Sequence, residues 1–317
     1  MNYCWLKLLL ATAAIVLAVG CSKTSTTGAS LDPAFRAGIS PDAQAIVSVK
    51  LDQVKASELY RTHQQLLDLP QFDSLARRAG LDPRRDVSSL CLVLDGKHLV
   101  LLSKGKFSNA QMQDKLLAGG ALRVPYKTFT VFTDAGGAAV AFPREGMAVA
   151  SSEGEVKAEL DLLSSKSGAI PEELQQRLAE VPADSQIWEV SRGGLPTTNF
   201  PMRADLDSVL SNFAASVTGT SFGLRFDSGS HLLSRIICKS PEGAQRVNDS
   251  FRGLIGLARL STKDNELDLL RMWDAISISK DQQFVRVQAD LPADLSDKLI
   301  TKLADLRGQA APLLNRQ

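Results

Sequence analysis

An α+β fold of two related halves, each a mainly antiparallel sheet with helices packed on one face, is what this 317-residue sequence predicts. Three observations predict it. Short apolar or alternating runs recur with tight-turn residues between them, the mark of antiparallel hairpins. Helical spacing with cap signals falls between hairpins and not after every strand, which argues against a purely parallel sheet. Finally, Pro41–Val49 returns in weaker form as Pro182–Val190, an internal duplication.

In chain order, the first repeated segment puts Val47 and Val49 on one face and Ser48 on the other, and its copy does the same with Trp188, Val190 and Glu189. Both read as half-buried strands. A helical segment broken near Leu69-Pro70, Ser57–Ala79, fills the next gap, and Gly193–Phe213 fills the matching one after an irregular start rich in glycine and proline. Hairpins follow in both halves. Leu90–Leu94 turns at Asp95-Gly96 into His98–Leu102, and Phe222–Phe226 turns at Asp227-Ser228-Gly229 into His231–Ile237.

Each hairpin runs into a helix start: Ser108 and Gln111 have capping-box spacing, and Ser240-Pro241 supplies an N-cap with proline at the first helical position. The first of these helices stops at Gly119-Gly120. Further strands are expected at Thr128–Thr133, Gly137–Phe142 and Met147–Ser151, then at Ile276–Ser279 and Phe284–Ala289. Helices close both halves, Glu153–Ser164 behind a Ser152/Glu155 capping box and Ala293–Leu306 before Gly308.

Met1–Gly20 carries Lys7, an apolar run from Leu8 to Val19 and no acidic residue, and leads into Leu17-Ala18-Val19-Gly20-Cys21. That run is short for a membrane span. The segment resembles a bacterial lipoprotein signal peptide. The resemblance implies cleavage before Cys21, a diacylglyceryl group on its sulfur, an acyl chain on the new amine, and anchoring to membrane lipid. It also implies an envelope location with a periplasmic body, and Ser22 in place of Asp points to the outer membrane. Residues 22–31 are small and polar and read as a flexible tether. The expected division is therefore a signal peptide at 1–20, anchor and tether at 21–38, and α+β repeat domains at 39–181 and 182–317. The body as a whole resembles uncharacterised secreted or lipid-anchored bacterial proteins with two related α+β halves, a resemblance that brings no catalytic residues.

Without residues 1–20 the chain keeps 35 basic and 35 acidic residues, so its charge makes no case for nucleic acid as partner. A hydrophobic content of 44% is enough for sizeable cores. Cys4 leaves with the signal and Cys21 takes lipid, so only Cys91 and Cys238 remain, which excludes a disulfide framework. Both lie in apolar runs and read as buried free thiols, with one long-range bridge as the alternative.

One catalytic pattern matches literally. Gly219-Thr220-Ser221-Phe222-Gly223 is G-x-S-x-G, but the nucleophile elbow needs a helix after the serine, and here Phe222, Leu224 and Phe226 continue a strand. His63, His98 and His231 form no metal-ligand spacing, and no metal or other cofactor is expected. Arg77, Arg78, Arg84 and Arg85 crowd around a helix end and the turn Gly80-Leu81-Asp82-Pro83. They are a candidate anion-contact patch, competing with simple pairing to Asp82 and Asp86. The leading functional expectation is a non-enzymatic binding or structural module of the envelope, with a protein or other envelope component as partner. A carrier or sensor of an apolar ligand, with Trp188, Phe222 and Trp273 near its cavity, is the alternative, and a hydrolase using Ser221 ranks last.

Overall fold

The computed structural model describes residues 28–64, 82–96, 98–193 and 215–302. Its strands are β1 (Ala45–Val49), β2 (Val87–Asp95), β3 (His98–Gly105), β4 (Leu122–Tyr126), β5 (Phe129–Thr133), β6 (Ala138–Arg144), β7 (Met147–Ser152), β8 (Ile187–Arg192), β9 (Val217–Phe226), β10 (Ser230–Cys238), β11 (Ile276–Asp281) and β12 (Phe284–Leu291). They form one twelve-stranded sheet in the order β11-β12-β10-β9-β8-β1-β2-β3-β7-β6-β5-β4, antiparallel at every pairing.

The α+β, mainly antiparallel class expected from the sequence is what the chain adopts, but the two halves do not have separate sheets. β1 and β8, the strands of the repeated segment, pair with each other, with Ile46 opposite Val190 and Ser48 opposite Trp188. The seam is the apolar centre of the molecule: Trp188 and Val190 are fully buried beside Ile46 and Cys91.

Helices cover both faces, not one. They are α1 (Leu51–Ala56), α2 (Glu58–Thr62), α3 (Pro83–Asp86), α4 (Asn109–Ala118), α5 (Glu153–Ser165), α6 (Glu172–Glu180), α7 (Pro241–Ser261) and α8 (Leu267–Asp274). Residues 293–302 are helical as well, while 303–306 of the expected closing helix lie outside the described residues. Side chains alternate across a strand, so Val190 and Glu189 point to opposite faces. On Val190's face, Leu160 of α5 and Leu174 and Leu178 of α6 complete the largest core. Glu189's column runs through Phe222 and Ser234 to Val287, which packs under Ala244 and Val247 of α7. α4 places Met112 on this second face, with Val49 and Leu90.

Local signals explain most boundaries. Gly96 takes φ +61° at the β2–β3 turn, and Gly120 φ +90° past the end of α4. Ser108 and Ser240 accept hydrogen bonds from Gln111 N and Gly243 N, the latter with Pro241 in the first turn. Ser152 is the N-cap of α5 but makes no side-chain cap bond, and Glu155 pairs with His98 instead of closing the expected capping box. The segment 29–38, expected from sequence to belong to the tether, is packed: Phe35 is fully buried, as is Ile39 just after it, and Ala29 N–H donates to Val181 O at 2.9 Å. Burial of large apolar side chains outweighs the polar run before them, by roughly 2 kcal/mol for each.

Candidate ligand-binding site

This packed strap forms one wall of the main cleft. Asp32 Oδ1 accepts from Ala34 N at 2.9 Å and turns the chain into a 3-10 turn, Arg36–Gly38. Phe35 is thereby seated in the core while its neighbour Arg36 is turned to solvent. The opposite wall comes from the end of α5, where Lys166 adopts φ +52° and the chain doubles back, so that Ala169 N–H donates to Ile39 O at 2.9 Å. Gly168 permits this approach: a Cβ there would lie 2.0 Å from Ala37 O.

Between strap, β5–β7 and α5 lies an open cleft of about 530 Å³, within the usual range for small-molecule sites. Phe129, Met147 and Leu163 give it apolar surface, and Arg36, Arg144 and Lys166 line it as well. Arg144 is held in place, donating from Nη2 to Ala34 O at 2.9 Å and from Nε to Met147 Sδ at 3.2 Å. Among the described residues none of these three cations has a carboxylate partner, and the cleft lining includes no Asp, Glu, His or Cys. Like charges brought together without counter-charge make a field that attracts anions.

No protein family matches the chain, and no curated protein does. Three solved structures of TP0453, a Treponema protein, are similar in outline. Crystal form III gives a TM-score of 0.47 at 12% identity, covering 87% of this chain and 99% of that one. Form I gives 0.46 at 10% identity (88% and 98% covered), and form IV 0.47 at 10% (87% and 97%).

Ser221 is not at an elbow. It lies in the middle of β9, buried, opposite Val190 on one side and Arg235 on the other, and His231 sits four residues along the neighbouring strand opposite Arg225. The two glycines flanking it have packing roles. A Cβ on Gly219 would lie 2.0 Å from the Arg177 Nη1 of α6, and one on Gly223 would lie 2.3 Å from Ser185 Oγ. The motif is the place where α6 and the turn after it press on the sheet.

The three histidines lie apart and each meets a carboxylate. His63 pairs with Asp297 at 2.9 Å, His98 with Glu155, and His231 with Asp290 at 2.8 Å and Asp227 at 3.2 Å. Arg84 is tied to Asp82, the N-cap of α3, at 2.8 Å and Arg85 to Asp86 within that helix at 2.7 Å, while Arg77, Arg78 and Cys21 lie outside the described residues. Cys91 and Cys238 are buried free thiols.

Two buried carboxylates stand apart from the surface pairs. Glu159 of α5 lies behind the strap, where its Oε1 has no hydrogen-bond partner among the described residues and a Cβ on Gly38 would meet it at 2.0 Å. Burial pushes its pKa up to about 8. Glu189, on the other face, is raised by burial to about 7, against hydrogen bonds from Thr220 and Ser191 that lower it. Thr220 Oγ1 sits 3.0 Å from Glu189 Oε1. In the sequence Glu189 marks only the outward position of a half-buried strand, and Glu159 and the three cleft cations carry no local signal, since each is a single residue in a separate segment and only the fold brings them to their sites.

Proposed function

We propose that this chain is a lipid-anchored protein of the bacterial cell envelope, held by acylated Cys21, and that it binds a ligand in the strap cleft without converting it. The observation that carries the reading is the composition of that cleft: three cations and an apolar surface, with no carboxylate, histidine or thiol, and with the Ser164 hydroxyl bonded to Leu160 O. The position of Ser221 inside a continuous strand supports the non-enzymatic part. The anchor rests on the lipobox at residues 17–21, eight positions before the strap becomes part of the core at Ala29. Among the described residues no helix is long and apolar enough to cross a membrane, so attachment would fall to the acyl chains, two or more of which hold a protein stably.

Intact-mass analysis of native protein tests the anchor. A chain beginning at Cys21 and carrying acyl mass is expected, and Cys21→Ser should move the protein from the membrane to the soluble fraction. A bare thiol at residue 21, or a leader still attached, would overturn the reading.

A further inference from the structure

Resting on that binding reading, we infer that the cleft takes an anionic amphiphile: a carboxylate or phosphate head joined to a hydrocarbon tail. Arg36 lies on the strap, Lys166 at the end of α5 and Arg144 at the end of β6, and all three line the cleft, so a head group bound there would lie among two guanidinium groups and one ammonium. Guanidinium presents paired N–H donors matched to the oxygens of carboxylate or phosphate. Because Arg144 already spends Nη2 on Ala34 O and Nε on Met147 Sδ, its orientation is set before a ligand arrives, which lowers the ordering cost of binding.

The remaining surface accounts for the tail. Phe129, Met147 and Leu163 come from β5, β7 and α5 respectively, and Pro33 and Pro143 extend the same apolar surface. A small inorganic anion would leave the half-buried Phe129 and Leu163 wet, whereas a tail gains about 0.8 kcal/mol per methylene removed from water. A cationic or zwitterionic amphiphile would bring positive charge among three cations that have no carboxylate partner among the described residues. The neighbouring cleft beyond Arg144 differs in this respect, because Asp32 and Glu145 line it and Asp32 pairs with Lys104 at 2.9 Å.

The test uses the chain from Cys21 onward as Cys21→Ser, free of acyl chains and detergent, so that failure of the anchor and failure of this inference are read separately. Calorimetric titration compares monomeric octyl phosphate and octanoate with inorganic phosphate and octylammonium. Octyl phosphate and octanoate should bind at least tenfold more tightly than inorganic phosphate, and octylammonium should not bind. The double variant Arg36→Gln/Lys166→Gln, which alters two exposed side chains with no ion-pair partner among the described residues, should lose tenfold or more of that affinity with an unchanged Tm. Flotation with phosphatidylglycerol vesicles separates the sources of the head group. Binding of the free monomers identifies a soluble amphiphile, whereas vesicle binding alone, lost in the double variant, identifies a bilayer lipid. Equal binding of octylammonium, equal binding of inorganic phosphate, or binding unaffected by the double variant would overturn the inference, as would no binding to any of these probes.

Discussion

Glu159 ties the interior of the protein to its pH response. Its carboxyl is buried, with no hydrogen-bond partner for Oε1 among the described residues, so the folded chain keeps the proton up to about pH 8, whereas the unfolded chain gives it up near the ordinary 4.5. Between those values the folded state binds more protons than the unfolded state, and stability therefore falls as pH rises through that window. Glu189, with its value near 7, adds a slope of the same sign. Glu159→Gln keeps the shape and removes the ionisation. It should raise Tm by a few degrees at pH 8.5, leave it nearly unchanged at pH 5, and reduce the decline between them. Adding Glu189→Gln should flatten the curve further. Thermal melts followed by circular dichroism from pH 5 to 9 measure this, and an undiminished slope in the double variant would contradict the assignment.

Among the elements, α7 shows how far packing and helix length can part. It has 21 residues, but its buried positions are Gly243, Ala244, Val247 and Asn248, all in the first half. Further along, Leu254, Leu257 and Leu260 are exposed, Leu260 at 85%, and Leu267 opens α8 in the same state. Replacing Leu257 and Leu260 together by Gln should shift Tm by no more than about 1 °C, since exposed side chains away from special features carry little stability; a larger loss in a melt would mean that these leucines are packed. Hairpins were the most legible elements, because Asp95-Gly96 and Asp227-Ser228-Gly229 join runs of apolar residues. β4 is not legible in sequence, where Pro125 interrupts a strand pattern, yet at the outer edge of the sheet, where β5 is its neighbour, a missing N–H costs little. α6 was also missed. Its signal was Pro171 followed by two glutamates, with Leu174 and Leu178 one turn apart, a short pattern beside the longer α5.

At the scale of the molecule, the likeness of Pro41–Val49 to Pro182–Val190 is legible in sequence but the place of these strands in the sheet is not, because pairing between β1 and β8 is a choice of partner that no local pattern specifies. The core under that seam joins Ile46 and Cys91 to Trp188, Val190 and Leu174 across the boundary expected near residue 181. Fragments 39–181 and 182–317 made separately should therefore fail to fold, each exposing an unpaired central strand, and the intact chain should melt in one transition. Two independent transitions in calorimetry would refute this. The strap has a mechanical corollary. A pull on the chain's amino end is borne first at the Ala29–Val181 hydrogen bond, next at Asp32 with its partners Ser89 and Lys104, and then at Phe35, so tension peels away the wall carrying Arg36 before it disturbs the sheet. Stretching and occupancy thus oppose one another: a guest seated between Arg36 and Lys166 would glue the strap down, and a molecule under load would release its guest long before it unravelled.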